Sequence, residues 1–157
     1  MEIESIYHAG FVVSDIERSL KWYTEVLGLQ IERPIRELEG EWISMVTGYE
    51  STRMRMVWLG TGGNCSIELN QYIEPEGSSG PNNRERKDVG AAHIGMQVDD
   101  VNEWYARLSA QGVKFAGPPP PKLQNVKFPW ARCAVQLQDP DGNWLELLEH
   151  PKPDVDG

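Results

Sequence analysis

A segment of this chain recurs within it. HAGFVVSDIERSLKWYTEVLGLQI starts at His8 and HIGMQVDDVNEWYARLSAQGVKF starts at His93. Placing His8 on His93 puts Gly10 on Gly95, Val13 on Val98, Asp15 on Asp100 and Ile16 on Val101. Gly28 meets Gly112 once one residue is dropped. An internal repeat signals a supersecondary unit that cannot bury its apolar face alone. Each copy reads as a strand, a capped helix, a glycine stop and a further strand. Ser14 with Glu17, and Asp100 with Glu103, have the spacing that satisfies the free N–H groups of a helix start. Gly28 and Gly112 stand where a left-handed residue closes a helix. Helices are therefore predicted at about 16–27 and 101–111. Leu20, Tyr23 and Leu27 form the apolar stripe of the first, and Val101, Trp104, Tyr105 and Leu108 that of the second.

Further strands are predicted at 29–33, 41–46, 53–59 and 66–72 in the first half, and at 113–116, 132–138 and 144–149 in the second. Gly62-Gly63-Asn64 and Asp139-Pro140-Asp141-Gly142-Asn143 punctuate them as turns. The expected fold class is α+β, built from two βαβββ modules. Residues 1–73 form the first module, 74–90 a polar linker loop, 91–150 the second module and 151–157 a tail. Pro118–Pro121 must leave regular structure and reads as an extended spacer. A length of 157 residues suits one domain made from both copies.

With 24 acidic residues against 15 Lys plus Arg, the formal charge is −9. Such a chain has no general attraction for phosphate backbones or anionic lipid, so neither a nucleic-acid nor a membrane partner is expected. No apolar run approaches the roughly 18–20 residues of a spanning helix. The start, MEIESIYHAG, lacks the basic and apolar regions of a signal peptide, which makes the cytoplasm the expected location. Cys65 and Cys133 make no disulfide framework and read as small core residues of strands.

Side chains alternate across a strand. At His93, the residues Ile94, Met96 and Val98 share one face while His93, Gly95 and Gln97 share the other. In 66–72, Ile67 and Leu69 oppose Glu68 and Asn70. In 144–149, Leu145 and Leu147 oppose Glu146. A carboxylate set among apolar residues is costly unless its face is wet, paired or metal-bound. The repeat supplies one such Glu and one strand-leading His per half: His8 with Glu68, and His93 with Glu146. Two neutral imidazoles and two carboxylates suit one divalent metal ion, with Ni, Zn, Co, Mn and Fe all compatible with the donor set.

The pattern resembles the vicinal oxygen chelate superfamily, the group of glyoxalase I, methylmalonyl-CoA epimerase, extradiol dioxygenases and the fosfomycin and bleomycin resistance proteins. The residues that carry the likeness are His8 with Val13 and Asp15, Trp22-Tyr23 to Leu27-Gly28, and Ile67-Glu68-Leu69. Gly90-Ala91-Ala92-His93-Ile94 and Asp139-Pro140-Asp141-Gly142-Asn143-Trp144-Leu145-Glu146-Leu147 complete it. The resemblance implies a curved, cup-shaped mixed sheet with helices outside and a metal at its base. The family ligands carry over onto His8, Glu68, His93 and Glu146. Also implied is chelation of substrate oxygens, with an enediolate or enolate stabilised by the metal. Glu146 is then the first choice for the proton-moving base and Glu68 the second. The leading expectation is a glyoxalase- or epimerase-like lyase or isomerase. The alternatives are an extradiol-type Fe(II) dioxygenase using His8, His93 and Glu146, and a non-catalytic ligand-binding or drug-resistance protein of the same fold.

Arg53 and Arg55 alternate with Met54 and Met56, and Arg132 and Gln136 lie on the matching strand of the second half. Arg55, Arg132 and Gln136, with Trp130 at a pocket mouth, are the expected contacts of a small-molecule substrate such as a thioester or glutathione adduct. Arg84, Arg86 and Lys87 read as a solvated loop, and His150 as exposed. A homodimer is expected, because small paired-module chains leave sheet edges to cover.

Overall fold

The computed structural model describes residues 2–63, 65–78, 85–121 and 131–150. The chain divides into two compact units, Met1–Pro81 and Asn82–Gly157. Its architecture is α+β, with two small sheets and three helices among the described residues.

The first unit runs β1 (His8–Val12), α1 (Ile16–Glu25), β2 (Gln30–Glu39), α2 (Glu41–Thr47), β3 (Arg53–Gly60) and β4 (Ser66–Glu74). Its sheet has the order β1-β4-β3-β2, with β1 parallel to β4 and the other pairs antiparallel. Helix α1 lies against β3 and β4. It buries Ile16 and Tyr23 near Val57, Leu59, Ile67 and Leu69, all of them inaccessible or nearly so. The apolar face of the sheet is thus spent on the helix, and the alternate residues are left on the other face.

The second unit repeats the plan with β5 (His93–Gln97), α3 (Val101–Ala110), β6 (Cys133–Gln138) and β7 (Trp144–Glu149), in the sheet order β5-β7-β6. Again the first strand is parallel to the last. Val101, Leu108, Val135, Leu137, Leu145 and Leu147 form the core. The register is the same in both units: Gly10 pairs with Glu68, and Gly95 with Glu146.

Both helices start where the repeat places them, after an aspartate. Asp100 accepts from the backbone N–H groups of Asn102 and Glu103, as expected. In the first unit the cap is Asp15, which accepts from Arg18 N, rather than Ser14. Ser14 Oγ instead accepts from the Arg18 side chain. Gly28 and Gly112 are both left-handed, at φ +79°. After α3, Gly112 N bonds Ser109 O and Val113 N bonds Leu108 O; after α1, Gly28 N bonds Thr24 O and Leu29 N bonds Tyr23 O. Each bond of the first closure spans one residue more than its counterpart, which is the residue the alignment has to drop.

Three expectations change. Residues 41–46, expected as a strand, form helix α2, bracketed by Gly40 and Gly48 with positive φ. The chain makes its strand earlier, as β2, which carries Pro34 and irregular register on the edge of the sheet, where a missing N–H is tolerated. Residues 113–116 contribute one bridge, Phe115 to Leu137, in place of a strand. Cys65 is exposed, while Cys133 is buried as expected. The tail 151–157 and part of the linker lie outside the described residues.

Candidate functional site

In the first unit, β1 and β4 bring His8 and Glu68 onto the face that α1 does not cover. His8 Nε2 lies 3.9 Å from Glu68 Oε2, with the side chains 38% and 14% exposed. Asn70, two residues further along the same face of β4, donates through Nδ2 to Glu68 Oε1 at 2.6 Å. One carboxylate oxygen is therefore occupied and the other turned to the imidazole. Trp58 pairs with Glu68 across the strands and lies beside His8, with ring centroids 4.7 Å apart. The Arg33 guanidinium covers the Trp58 ring at 4.3 Å and donates to the Tyr7 hydroxyl at 2.6 Å.

The second unit does the same with different supports. His93 Nε2 lies 3.7 Å from Glu146 Oε2, with the side chains 48% and 24% exposed. Gln136, opposite Glu146 on β6, donates through Nε2 to Glu146 Oε1 at 3.3 Å. Its own Oε1 accepts from Arg86 Nη1 at 2.7 Å. Arg86, Gln136 and Glu146 border a cavity of about 360 Å³ with Ala134 and Gly117. That volume is in the range of small-molecule sites.

A glycine stands opposite each carboxylate on the neighbouring parallel strand. A Cβ on Gly10 would sit 3.7 Å from Glu68 Oε1, and one on Gly95 3.7 Å from Glu146 Oε2. At those separations a methyl group would stand in ordinary van der Waals contact with the carboxylate.

Each of the four expected ligands is thus on the predicted face, in two His–Glu pairs, one pair per unit. Gln136, expected as a substrate contact, lies beside Glu146. Arg55 does not join this face. Its strand partners and neighbours in parity, Gln71, Val57 and Leu59, put it on the helix side of the sheet, where it pairs with Glu17 of α1. That hydrogen bond holds the Glu17 carboxyl below its ordinary value. Arg132 is drawn to Glu149, Nη1 to Oε1 3.7 Å. Glu149 is buried and also accepts from Val101 N at the start of α3. Trp130 lies outside the described residues, and His150 is exposed as expected. Asn70, Trp58 and Arg33 were not singled out by the sequence, and Arg86 read only as a solvated loop. The signal for Asn70 was its place two residues from Glu68 on one strand face.

The description of the glyoxalase/bleomycin resistance protein/dioxygenase superfamily matches residues 5–147. The chain belongs to this superfamily. It is 30% identical over 150 residues to a probable chloroplastic lactoylglutathione lyase of Arabidopsis thaliana, a match that takes in 94% of this chain and 36% of that protein. The chain therefore spans only about a third of that relative's length. It is 27% identical over 150 residues to a probable lactoylglutathione lyase of Vibrio parahaemolyticus, covering 92% of this chain and 90% of the relative. A glyoxalase family protein of Bacillus cereus has the same fold, with a TM-score of 0.80 at 20% identity over 97% of each chain. Superfamily membership establishes the fold class, and the chemistry has to be argued from the site.

Proposed function

We propose that this chain is a metal-dependent lyase or isomerase that moves a proton on carbon next to a carbonyl. In this reading His8, Glu68, His93 and Glu146 are the ligands of one divalent ion, each unit supplying an imidazole and a carboxylate. The observation that carries it is the duplicated pair. In both units a His Nε2 faces a Glu Oε2 at 3.7–3.9 Å, while Oε1 is held by a carboxamide. Those separations exceed a hydrogen bond. Two atoms that ligate one ion at about 2.1 Å and a tetrahedral angle lie about 3.4 Å apart, and further apart at wider angles. Each pair by itself thus has the spacing of two ligands on one ion, while no group of three or more His, Cys, Asp or Glu side chains comes together among the described residues.

A bound dication would supply Lewis-acid stabilisation of a substrate oxyanion. The protein supplies the proton transfer. Glu146 is the better base because its Oε1 is held at 3.3 Å, whereas Asn70 grips Glu68 at 2.6 Å. The looser carboxylate can take the proton from the substrate carbon and return it at the neighbouring atom. Glu68 holds its place and orients. The relatives' names suggest a glutathione adduct as substrate, and the second unit's cavity offers Arg86 and Gln136 as polar contacts for it.

Purified protein assayed with methylglyoxal hemithioacetal, and with methylmalonyl-CoA in deuterated water, tests the reading. Turnover of one of them with solvent hydrogen entering the product is expected. Glu146→Gln, whose amide oxygen can still ligate, should bind metal more weakly and, at saturating metal, lose at least about 100-fold in rate, the usual scale of a general base. Full activity in that variant rules Glu146 out as base. Cleavage of catechol with Fe(II) and oxygen, without exchange on either carbonyl substrate, replaces the proposal with an oxygenase.

A further inference from the structure

The two carboxylates are held by different devices. A carboxylate only accepts hydrogen bonds, so a carboxamide beside it must present its NH₂ group. Asn70 does this alone, and its Oδ1 has no hydrogen-bond partner among the described residues. Gln136 is held at both ends, by Glu146 on the nitrogen side and by Arg86 on the oxygen side. Arginine only donates. Arg86 therefore anchors the far end of the amide whose N–H the carboxylate already demands. The guanidinium is itself placed over the Trp144 ring at 5.0 Å, and Trp144 pairs in register with His93.

We infer that Arg86 is a positioning residue for Glu146, acting through Gln136 to hold the carboxylate with Oε2 toward His93. The inference rests on the ligand role proposed above for His93 and Glu146. Without Arg86 the Gln136 side chain loses the anchor on its carbonyl oxygen and is free to swing away from Glu146. Glu146 loses its fixed orientation although no ligand has been removed. A residue of the segment joining the repeats is in this way tied to the site. Partners that orient metal ligands are typically worth 10–100-fold in metal affinity.

Simple electrostatics makes the opposite forecast. Removing a cation near a dication site should tighten metal binding, whereas loss of positioning should weaken it. The test is titration of the full-length chain with Co(II), followed by its visible absorption, for wild type, Arg86→Met, Gln136→Leu, the double variant and Arg86→Lys. Gln136→Leu and Arg86→Met should each weaken binding about 10-fold or more. The double variant should be no weaker than Gln136→Leu, and Arg86→Lys, which keeps a donor, should recover most of the affinity. In metal-free protein the side-chain NH₂ resonance of Gln136 should shift in Arg86→Met. Unchanged or tighter Co(II) binding in Arg86→Met, or multiplying effects in the double variant, overturns the positioning role while His93-dependent binding leaves the metal reading intact. Co(II) binding that His93→Ala does not weaken overturns the metal reading instead. The Gln136 resonance then decides the link by itself, and an unmoved signal overturns it.

Discussion

Gly10 and Gly95 hold the same place, opposite a carboxylate of the site, in the two units. Their surroundings differ. A Cβ at Gly10 would meet nothing closer than 3.6 Å, whereas one at Gly95 would approach Leu148 Cδ2 to 3.1 Å. Gly10→Ala should therefore change stability by less than about 1 kcal/mol. Gly95→Val should destabilise by about 1–3 kcal/mol through overpacking. Urea unfolding of the two variants checks this, and equal midpoints would contradict the packing described. Arg55 was misread for a related reason. Alternation with Met54 and Met56 showed that it had a face but not which face the helix covers, and Glu17 on α1 decides that. Arg55→Ala should lower stability by no more than about 1 kcal/mol, since the pair is largely exposed, and should leave metal affinity unchanged. Because Arg55 lowers the Glu17 carboxyl, the pair's small contribution is present above the ordinary carboxylate value and is lost as pH falls through the lowered one. Unfolding midpoints of wild type and Arg55→Ala, converging at low pH, would show it.

At the scale of elements, the helices of the repeat were legible because their signals are local. An aspartate that accepts from the first turn and a left-handed glycine that closes the last are chemistry within a few residues of the helix end. Asp15→Ala and Asp100→Ala should each lower stability by about 0.5–2 kcal/mol. Ser14→Ala should lower it by less, because Asp15 and not Ser14 stands at the N-cap. Thermal unfolding that ranks Ser14→Ala with Asp15→Ala would contradict the cap assignment. Helix α2 was not legible. Its run of Trp42, Ile43, Met45 and Val46 favours a strand locally, yet Ile43 alone is buried and the rest of the run lies outward. The helix is held by contacts that periodicity does not show: Ser44 Oγ accepts from Thr52 N, and the Thr47 and Thr52 hydroxyls meet at 2.7 Å. The buried Glu149 escaped notice likewise, although it shares the inward face of β7 with Leu145 and Leu147, where it accepts from Val101 N at the start of α3.

At the scale of the whole molecule, the repeat is what made the site readable. A single strand His or a single outward Glu is ordinary; the same pair at the same register in two units is not. The register itself, with each Glu opposite a glycine on a parallel strand, became visible only in the fold. The supports of the pairs were beyond the sequence, because Asn70, Gln136 and Arg86 act through distances and amide orientation rather than through spacing. A net charge of −9 also means less at the site than in bulk. In the proposed reading two of the acids, Glu68 and Glu146, ligate the ion, and a dication would offset them locally. The central claim is that the duplicated pairs bind one metal, and metal analysis of the purified chain with its His8→Ala and His93→Ala variants tests it most directly. The expected result is one divalent ion per chain in the wild type and its loss in both variants. Tight stoichiometric metal that survives His93→Ala would contradict the account.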